Sequence, residues 1–165
     1  MRGSVWLMAG TAGLSLLAIT TVFQPTERLI WNRSASAPEG FYWRYDRPPT
    51  RDDWAVVSPK SEAARWAREH GYTGENWPLI KRVAGLPGDE ICRHGDTIFI
   101  NGEARAEARH QSSNGIELHV WAGCRRLNAS QIFLLNDHPA SLDGRYFGPT
   151  PSAHISGSAS LIWRF

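Results

Sequence analysis

Lysine is scarce in this chain, and one lysine stands where it could act as a base. Of the 18 basic residues only Lys60 and Lys81 are lysines; the others are arginines. Arginine keeps its proton in proteins, whereas a lysine removed from water can become a neutral amine. Lys81 lies in the apolar run 79–84, which predicts a strand ending before Pro87-Gly88. It is either a solvated strand residue in an arginine-biased chain, as strand lysines usually are, or a buried general base.

A short loop of small residues could supply the nucleophile for such a base. Residues 32–40 read Asn-Arg-Ser-Ala-Ser-Ala-Pro-Glu-Gly and are followed by the aromatic run 41–45. Small residues that end in proline and glycine predict a tight, exposed loop, and the aromatic run predicts a strand. A serine hydroxyl in this loop becomes nucleophilic only when a neighbouring base removes its proton.

Lysine is a better candidate for that base than histidine. The six histidines show no metal-type spacing, and the chain has no Gly-x-Ser-x-Gly motif. A Ser–Lys dyad is a known alternative to the Ser-His-Asp triad. Lys60 falls in a predicted helix at 58–71, with Ser58 as its cap, Pro59 at its first position and Gly71 at its end. A lysine in a first turn is usually solvated, which leaves Lys81.

Four segments resemble the sequence boxes of type I signal peptidases. Residues 34–42 resemble the serine box and residues 81–89 the lysine box. Residues 96–102 are similar to the strand and hairpin that follow the lysine box. Residues 141–148 are similar to the carboxy-terminal Asp-Ser-Arg-Tyr box. The four occur in family order, span about residues 32–149 and favour Lys81 as a base.

The serine box is most similar to that of the TraF-type peptidases of conjugative transfer systems, which mature pilin subunits or related components. Ala37 alone separates Ser36 from Pro38, whereas housekeeping signal peptidases usually have two residues there. Two positions depart from the family pattern. Gly144 stands where many family members have a serine, so a hydrogen bond that this serine makes near the site is not expected here. Residues 136–139 stand where the family usually has a Gly-Asp-Asn run.

The resemblance implies roles for six residues and implies neither a metal nor another cofactor. Ser36 is the expected nucleophile and Lys81 the general base, which must be neutral to work. Ser34 is expected to help hold the oxyanion beside the Ser36 backbone N–H. Ser141 is expected to hydrogen-bond the lysine amine. Asp143 and Arg145 are expected to form an ion pair that either supports the site or is purely structural.

The amino-terminal segment predicts a membrane anchor. Residues 5–23 carry no charge, and as a helix they would be about 28 Å long, close to the thickness of a bilayer core. Arg2 and the α-amino group precede the segment and favour a cytoplasmic amino terminus. A cleavable signal is the alternative, but its best site, residues 35–37, is followed by Pro38.

The predicted organisation is an anchor at 1–25 and an extracytoplasmic domain at 26–165. The protein would then be a single-pass protein of the cytoplasmic (inner) membrane. Exposure to an oxidising compartment would allow Cys92 and Cys124 to form a disulfide, with two free thiols as the alternative. The aromatic side chains after Ser36 would either pack in the core or lie among lipid headgroups.

The pattern of short apolar runs predicts a mainly β fold, a barrel or packed antiparallel sheets with one short helix, and the resemblance implies that this fold is signal-peptidase-like. Asn101-Gly102 is a strong hairpin signal after the strand at 97–100. The polar segment 104–114 is predicted to be a surface loop. Further strands are predicted at 54–57, 115–121, 131–135 and 159–164.

Two functions are compatible with these features. The first is an anchored serine endopeptidase that cuts translocated precursors next to small side chains. Its acyl-enzyme could be attacked by water or by an amine, and the latter would circularise the product. The second is a non-catalytic β-domain that serves as a scaffold in a secretion apparatus. A net charge of +2 without charge blocks argues against nucleic acid as a partner, and the sequence does not determine the oligomeric state.

Overall fold

The computed structural model describes residues 27–165. This part of the chain contains eleven β-strands, two α-helices and one 3-10 turn, so the prediction of a mainly β protein is confirmed. The strands are β1 (Leu29–Asn32), β2 (Gly40–Tyr45), β3 (Trp54–Val57), β4 (Leu79–Gly85), β5 (Glu90–His94), β6 (Thr97–Ile100), β7 (Glu103–Glu107), β8 (Gly123–Arg126), β9 (Gln131–Leu134), β10 (Thr150–Pro151) and β11 (Ile155–Arg164). The helices are α1 (Glu62–Glu69) and α2 (Gly144–Phe147).

The strands form two antiparallel sheets. The larger has the order β1-β2-β11-β3-β4-β9-β10 and the smaller the order β7-β6-β5-β8. Strand β4, which contains Lys81, therefore lies inside the larger sheet, where its neighbours shield it from water. A cluster of buried side chains joins the two sheets. It comes from β4, β5, β6 and β9 and from the residues that directly follow β8 and β9: Ala84, Ile91, Ile98, Ile100, Leu127, Phe133 and Leu135.

Strand β2 shows why the aromatic run has two environments. Successive side chains of a strand point to opposite faces of the sheet. Tyr42 is fully buried in the core, whereas Trp43 is 39% exposed on the other face. Aromatic side chains in the core and on the surface therefore both occur in this one strand.

The predicted helix begins later than its sequence signals indicated. Ser58 is not the cap; its hydroxyl accepts from Lys60 N within a turn that also contains Pro59. The cap is Ser61, whose hydroxyl accepts a hydrogen bond from Ala64 N at 3.2 Å. Lys60 precedes the helix and is exposed, as expected of a solvated lysine.

One strand prediction and part of one loop prediction were wrong. Residues 115–121 form no strand and contribute only the isolated bridge between Gln111 and Glu117. Residues 103–107, assigned in part to a loop, form the edge strand β7, which pairs with β6 alone. The short helix α2 was also not predicted. In contrast, Asn101 and Gly102 form the expected hairpin between β6 and β7, both with positive φ (51° and 82°).

Cys92 and Cys124 form a disulfide between β5 and β8, where they are directly paired. Of the two alternatives left by the sequence, the structure has the bonded one. His94 lies beside the pair, but neither sulfur is a free thiolate that could join it in holding a metal.

No helix within residues 27–165 is long and apolar enough to cross a membrane. The predicted anchor at residues 5–23 lies outside the described residues.

Candidate active site

The loop that contains Ser36 is fixed by a single asparagine at the end of β1. The Asn32 side-chain amide donates to the carbonyl oxygens of Ser34, Ala37 and Pro38 at 3.0–3.1 Å. Its Oδ1 accepts from Ser34 N at 3.2 Å. Asn32 is 9% exposed, so these bonds are largely protected from water. The loop therefore presents Ser36 in one defined position, although sequence reasoning gave Asn32 no role; its signal was the tendency of asparagine to bond nearby backbone groups.

Lys81 reaches this loop from the middle of β4. Its side chain is only 4% exposed, and Nζ lies 3.4 Å from Ser36 Oγ and 2.9 Å from Ser141 Oγ. Ser141 is fully buried. The structure thus brings together the three residues that the sequence separated by 45 and 60 positions.

The environment of Lys81 favours its neutral form. Burial lowers the pKa of Lys81 from 10.5 to about 8, because an ammonium ion loses its hydration there. The nearby Asp143 charge opposes this pKa shift, and the Arg145 charge adds to it. An amine with this pKa is substantially deprotonated in mildly alkaline water, which a general base requires.

Ser34 lies next to Ser36, in contact with it through two groups. The two hydroxyl oxygens are 2.9 Å apart, and Ser34 Oγ accepts from Ser36 N at 3.3 Å. The Ser36 N–H is one of the groups that the sequence assigned to an oxyanion. The hydrogen bond from Ser36 N to Ser34 Oγ is long and therefore weak, so a substrate oxygen could take the place of Ser34 Oγ at little cost in free energy.

Asp143 and Arg145 form the expected ion pair, with Arg145 Nη1 2.6 Å from Asp143 Oδ2. Both side chains are buried. Asp143 also caps α2 by accepting from Arg145 N. Neither residue hydrogen-bonds Lys81 or Ser36 in the described structure; instead, both bind the backbone of Asn136. The pair supports the segment that places Ser141.

A groove of about 790 Å³ runs past Ser36 and Lys81. It is lined chiefly by residues 29–36 and 75–81, with Tyr72, Ser112 and His138 among the others. The Arg33 guanidinium lies 4.1 Å from the Trp77 ring centre and 4.9 Å from that of Trp31. These cation–π contacts join the serine loop to the 75–81 wall. The Ser36 and Lys81 side chains therefore both lie at the wall of this groove.

Gly144, one of the two departures from the family pattern, has a packing reason. A Cβ at this position would lie 2.5 Å from Phe133 Cε2 and 2.7 Å from the carbonyl oxygen of Leu134. Phe133 is fully buried in the cluster that joins the sheets, so it cannot move away. The space that a serine side chain would need is occupied by this phenyl ring.

Gly144→Ser is therefore expected to lower the free energy of unfolding by about 1–3 kcal/mol, because it overpacks a filled core. Urea unfolding followed by tryptophan fluorescence measures the loss. Ala104→Ser adds the same hydroxyl at an exposed position and should change stability little. Equal stability of the Gly144→Ser variant and the wild type would contradict the packing explanation.

Comparison with known proteins gives a consistent set of matches. The family model described as "Signal peptidase, peptidase S26" matches residues 1–164. The chain is 31% identical to a "Conjugal transfer protein TraF" of Agrobacterium fabrum, covering 94% of this chain and 93% of that one. It is 25% identical to a "Plasmid transfer protein TraF" of Escherichia coli, covering 93% and 86%. It is also 33% identical to "Signal peptidase I V" of Bacillus subtilis, over 50% of this chain and 55% of that protein.

Among solved structures, the chain is similar to a signal peptidase I from Enterococcus faecalis V583. The sequence identity is 24% and the TM-score is 0.41, and the match covers 70% of this chain and all of that one.

Proposed function

Because this chain belongs to the signal peptidase S26 family, we propose that it is a serine endopeptidase in which Ser36 is the nucleophile and Lys81 the general base. One observation supports this assignment above the others: a buried amine lies within reach of a loop hydroxyl. Lys81 Nζ is 3.4 Å from Ser36 Oγ, a distance that a small movement on substrate binding would shorten to a good hydrogen bond.

The reaction would proceed by acyl transfer. Neutral Lys81 takes the Ser36 proton as Oγ attacks the scissile carbonyl, and the oxyanion accepts hydrogen bonds from Ser36 N–H and the Ser34 hydroxyl. The Lys81 ammonium then gives its proton to the departing amine, which leaves an ester on Ser36. Ser141, 2.9 Å from Nζ, holds the amine aimed at Ser36 throughout.

The names of the relatives support the proposed substrate class. Relatives named for conjugal and plasmid transfer support a translocated precursor, such as a pilin precursor, as the substrate. Small side chains are expected beside the cleaved bond. We place the domain on the extracytoplasmic side of the inner membrane, behind an anchor at residues 1–25.

Analysis of the product tests this function and shows whether water or an amine attacks the acyl-enzyme. Cells that express the wild-type chain should process a precursor that accumulates when Ser36 is replaced by alanine. Mass spectrometry of the product distinguishes the two fates of the acyl-enzyme, because a circular product is lighter than the linear one by one water. Unchanged processing by Ser36→Ala and Lys81→Ala variants would instead favour the non-catalytic scaffold.

An apolar face of the larger sheet supports a position at the lipid surface. We define the apolar sheet face by residues on one side of β1, β2 and the end of β11: Leu29, Trp31, Phe41, Trp43, Trp163 and Phe165. Five of these are at least 39% exposed. Tryptophan in such a face suits the membrane interface, where its ring is partly apolar and partly polar.

A chain lacking residues 1–25 is therefore expected to float with phospholipid vesicles. Trp43→Ser combined with Trp163→Ser should reduce the bound fraction severalfold, because each removes a large apolar side chain from the contact. Trp77→Ser, which removes an exposed tryptophan of the groove wall, provides the control. Absence of the truncated chain from the vesicle fraction would contradict the proposed contact.

A further inference from the structure

Asn136 connects the strand that contains the base to the loop that contains the nucleophile. It follows β9, is 1% exposed and was given no role in the sequence analysis. Its side-chain amide donates to the carbonyl oxygen of Ser36 at 2.7 Å and to that of Ile80 at 3.3 Å. Its Oδ1 accepts from Arg82 N at 2.7 Å. One side chain therefore binds the backbone of Ser36 and the residues on both sides of Lys81.

The amide does so by replacing a missing strand. Strand β9 pairs with β4 at Val83 and Gly85, and Leu135 N still donates to Arg82 O. Beyond that point the β9 chain turns away, which would leave Arg82 N and Ile80 O without partners. Asn136 supplies a donor and an acceptor at these two positions, as a neighbouring strand would. Lys81 is held in the centre of this substituted pairing.

The backbone of Asn136 is fixed in turn by the buried ion pair. Its N–H donates to Asp143 Oδ2 at 3.0 Å, and its carbonyl accepts from Arg145 Nη2 at 2.8 Å. Asp143 and Arg145 do not contact the dyad, but through Asn136 they are connected to both of its members. The ion pair can therefore affect the positions of Ser36 and Lys81 by fixing the backbone of Asn136.

We propose that Asn136 is a positioning residue that sets the separation of the Ser36 hydroxyl and the Lys81 amine. The inference rests on the proposed function of Ser36 and Lys81. It adds a residue that holds these two side chains at the distance that proton transfer needs. Only an amide can act here, because the site needs two donors for carbonyl oxygens and one acceptor for an N–H on the same short side chain. A carboxylate at this position would face two carbonyl oxygens without a proton to offer.

Replacing this amide tests the proposal. Asn136→Ala and Asn136→Asp are expected to lower kcat about 100-fold, as a displacement of roughly 1 Å in a reacting pair can. KM should change less than about threefold, because Asn136 does not line the groove. Asn128→Asp is the matched control: its Oδ1 accepts two bonds from Ser130 at an exposed turn, and a carboxylate can keep both.

A second measurement does not depend on activity. With only two lysines in the chain, lysine labelled at the ε-carbon gives two NMR signals, and loss of one in Lys60→Arg assigns the other to Lys81. Asn136→Ala should raise the pKa of Lys81, because water fills the vacated space beside it. A purely structural role would lower the melting temperature without moving this pKa.

The outcomes separate the two proposals. A fall in kcat per folded molecule together with a raised Lys81 pKa supports the positioning role. An unchanged pKa in the folded variants, or a loss of activity equal to the loss of folded protein, overturns it. If the wild type itself processes no precursor, the proposed function fails, and the Lys81 pKa in the Asn136 variants still decides whether Asn136 positions the amine.

Discussion

Replacing Ser36 with alanine, or Lys81 with methionine, is expected to reduce precursor cleavage by at least about 10⁴-fold, since nucleophile and base act as a unit. In the proposed mechanism Ser36 supplies the atom that forms the acyl-enzyme, and the buried Lys81 amine, 3.4 Å away, is the base. Methionine retains much of the length and apolar character of the lysine stem but cannot accept a proton. Cleavage kinetics with the identified precursor measure both effects.

The chain offers matched controls for both substitutions. Lys60→Met alters the other lysine, which is exposed, and Ser160→Ala alters an exposed serine in β11. Both variants should retain wild-type rates. Residual cleavage by Lys81→Met above a hundredth of the wild-type rate would contradict the assignment of Lys81 as the base.

Stability measurements on these variants distinguish a loss of activity from a loss of folding. Lys81→Met removes a buried amine but leaves the buried Ser141 hydroxyl without its lysine partner. Combining Lys81→Met with Ser141→Ala removes both the buried amine and the buried hydroxyl, so neither polar group remains to be desolvated on folding. The double variant should be inactive yet more stable than the wild type by about 1–3 kcal/mol at pH 7, as expected when a desolvated polar pair is replaced by apolar groups.

Activity is expected to rise with pH up to about 8 and then to level off. Only the neutral Lys81 amine can accept the Ser36 proton, and burial lowers the pKa of Lys81 to about 8. Below that pH, kcat/KM should fall about tenfold per unit, so that at pH 6 it is about 100-fold below the plateau. NMR titration of ε-labelled lysine should give the same value for the Lys81 amine. Titration of that amine at its ordinary pKa of 10.5 would contradict the mechanism.

The same pKa shift predicts how stability depends on pH. The folded chain has the lower Lys81 pKa, so between pH 8 and 10.5 the unfolded chain binds more protons. The contribution of Lys81 therefore makes the free energy of unfolding increase with pH across this window. This part of the increase should be absent from the Lys81→Met variant. Comparison of the two proteins therefore separates the contribution of Lys81 from those of the other groups that titrate in this range.

The proximity of Ser36 and Lys81 could be predicted because their residue types are unusual in their surroundings. A lysine in an apolar run of an arginine-rich chain, and a serine between small residues and a proline, are local signals. The hairpin at Asn101-Gly102 was predicted for a similar reason, since both residues tolerate positive φ. In each case the information lies within a few neighbouring residues.

Features that depend on distant partners were not predictable in this way. Residues 115–121 alternate between apolar and polar types as a strand does. In the structure, however, Leu118 packs in a buried cluster with Trp66 and Tyr146, Val120 is 63% exposed, and the segment joins neither sheet. Strand β7 is polar because it is an edge strand with one partner. The departure at residues 136–139 was visible in the sequence, but the role of Asn136 was not, since it depends on a bond to a residue 100 positions away.

These long separations connect catalysis to the completion of folding. Ser36, Lys81, Asn136 and Ser141 meet only after β1, β4 and β9 have taken their places in the larger sheet. In a chain that has not yet folded, Lys81 would be hydrated and would keep its proton. A newly made molecule would therefore be harmless to the unfolded polypeptides around it and would gain the ability to cut them only on reaching its native state.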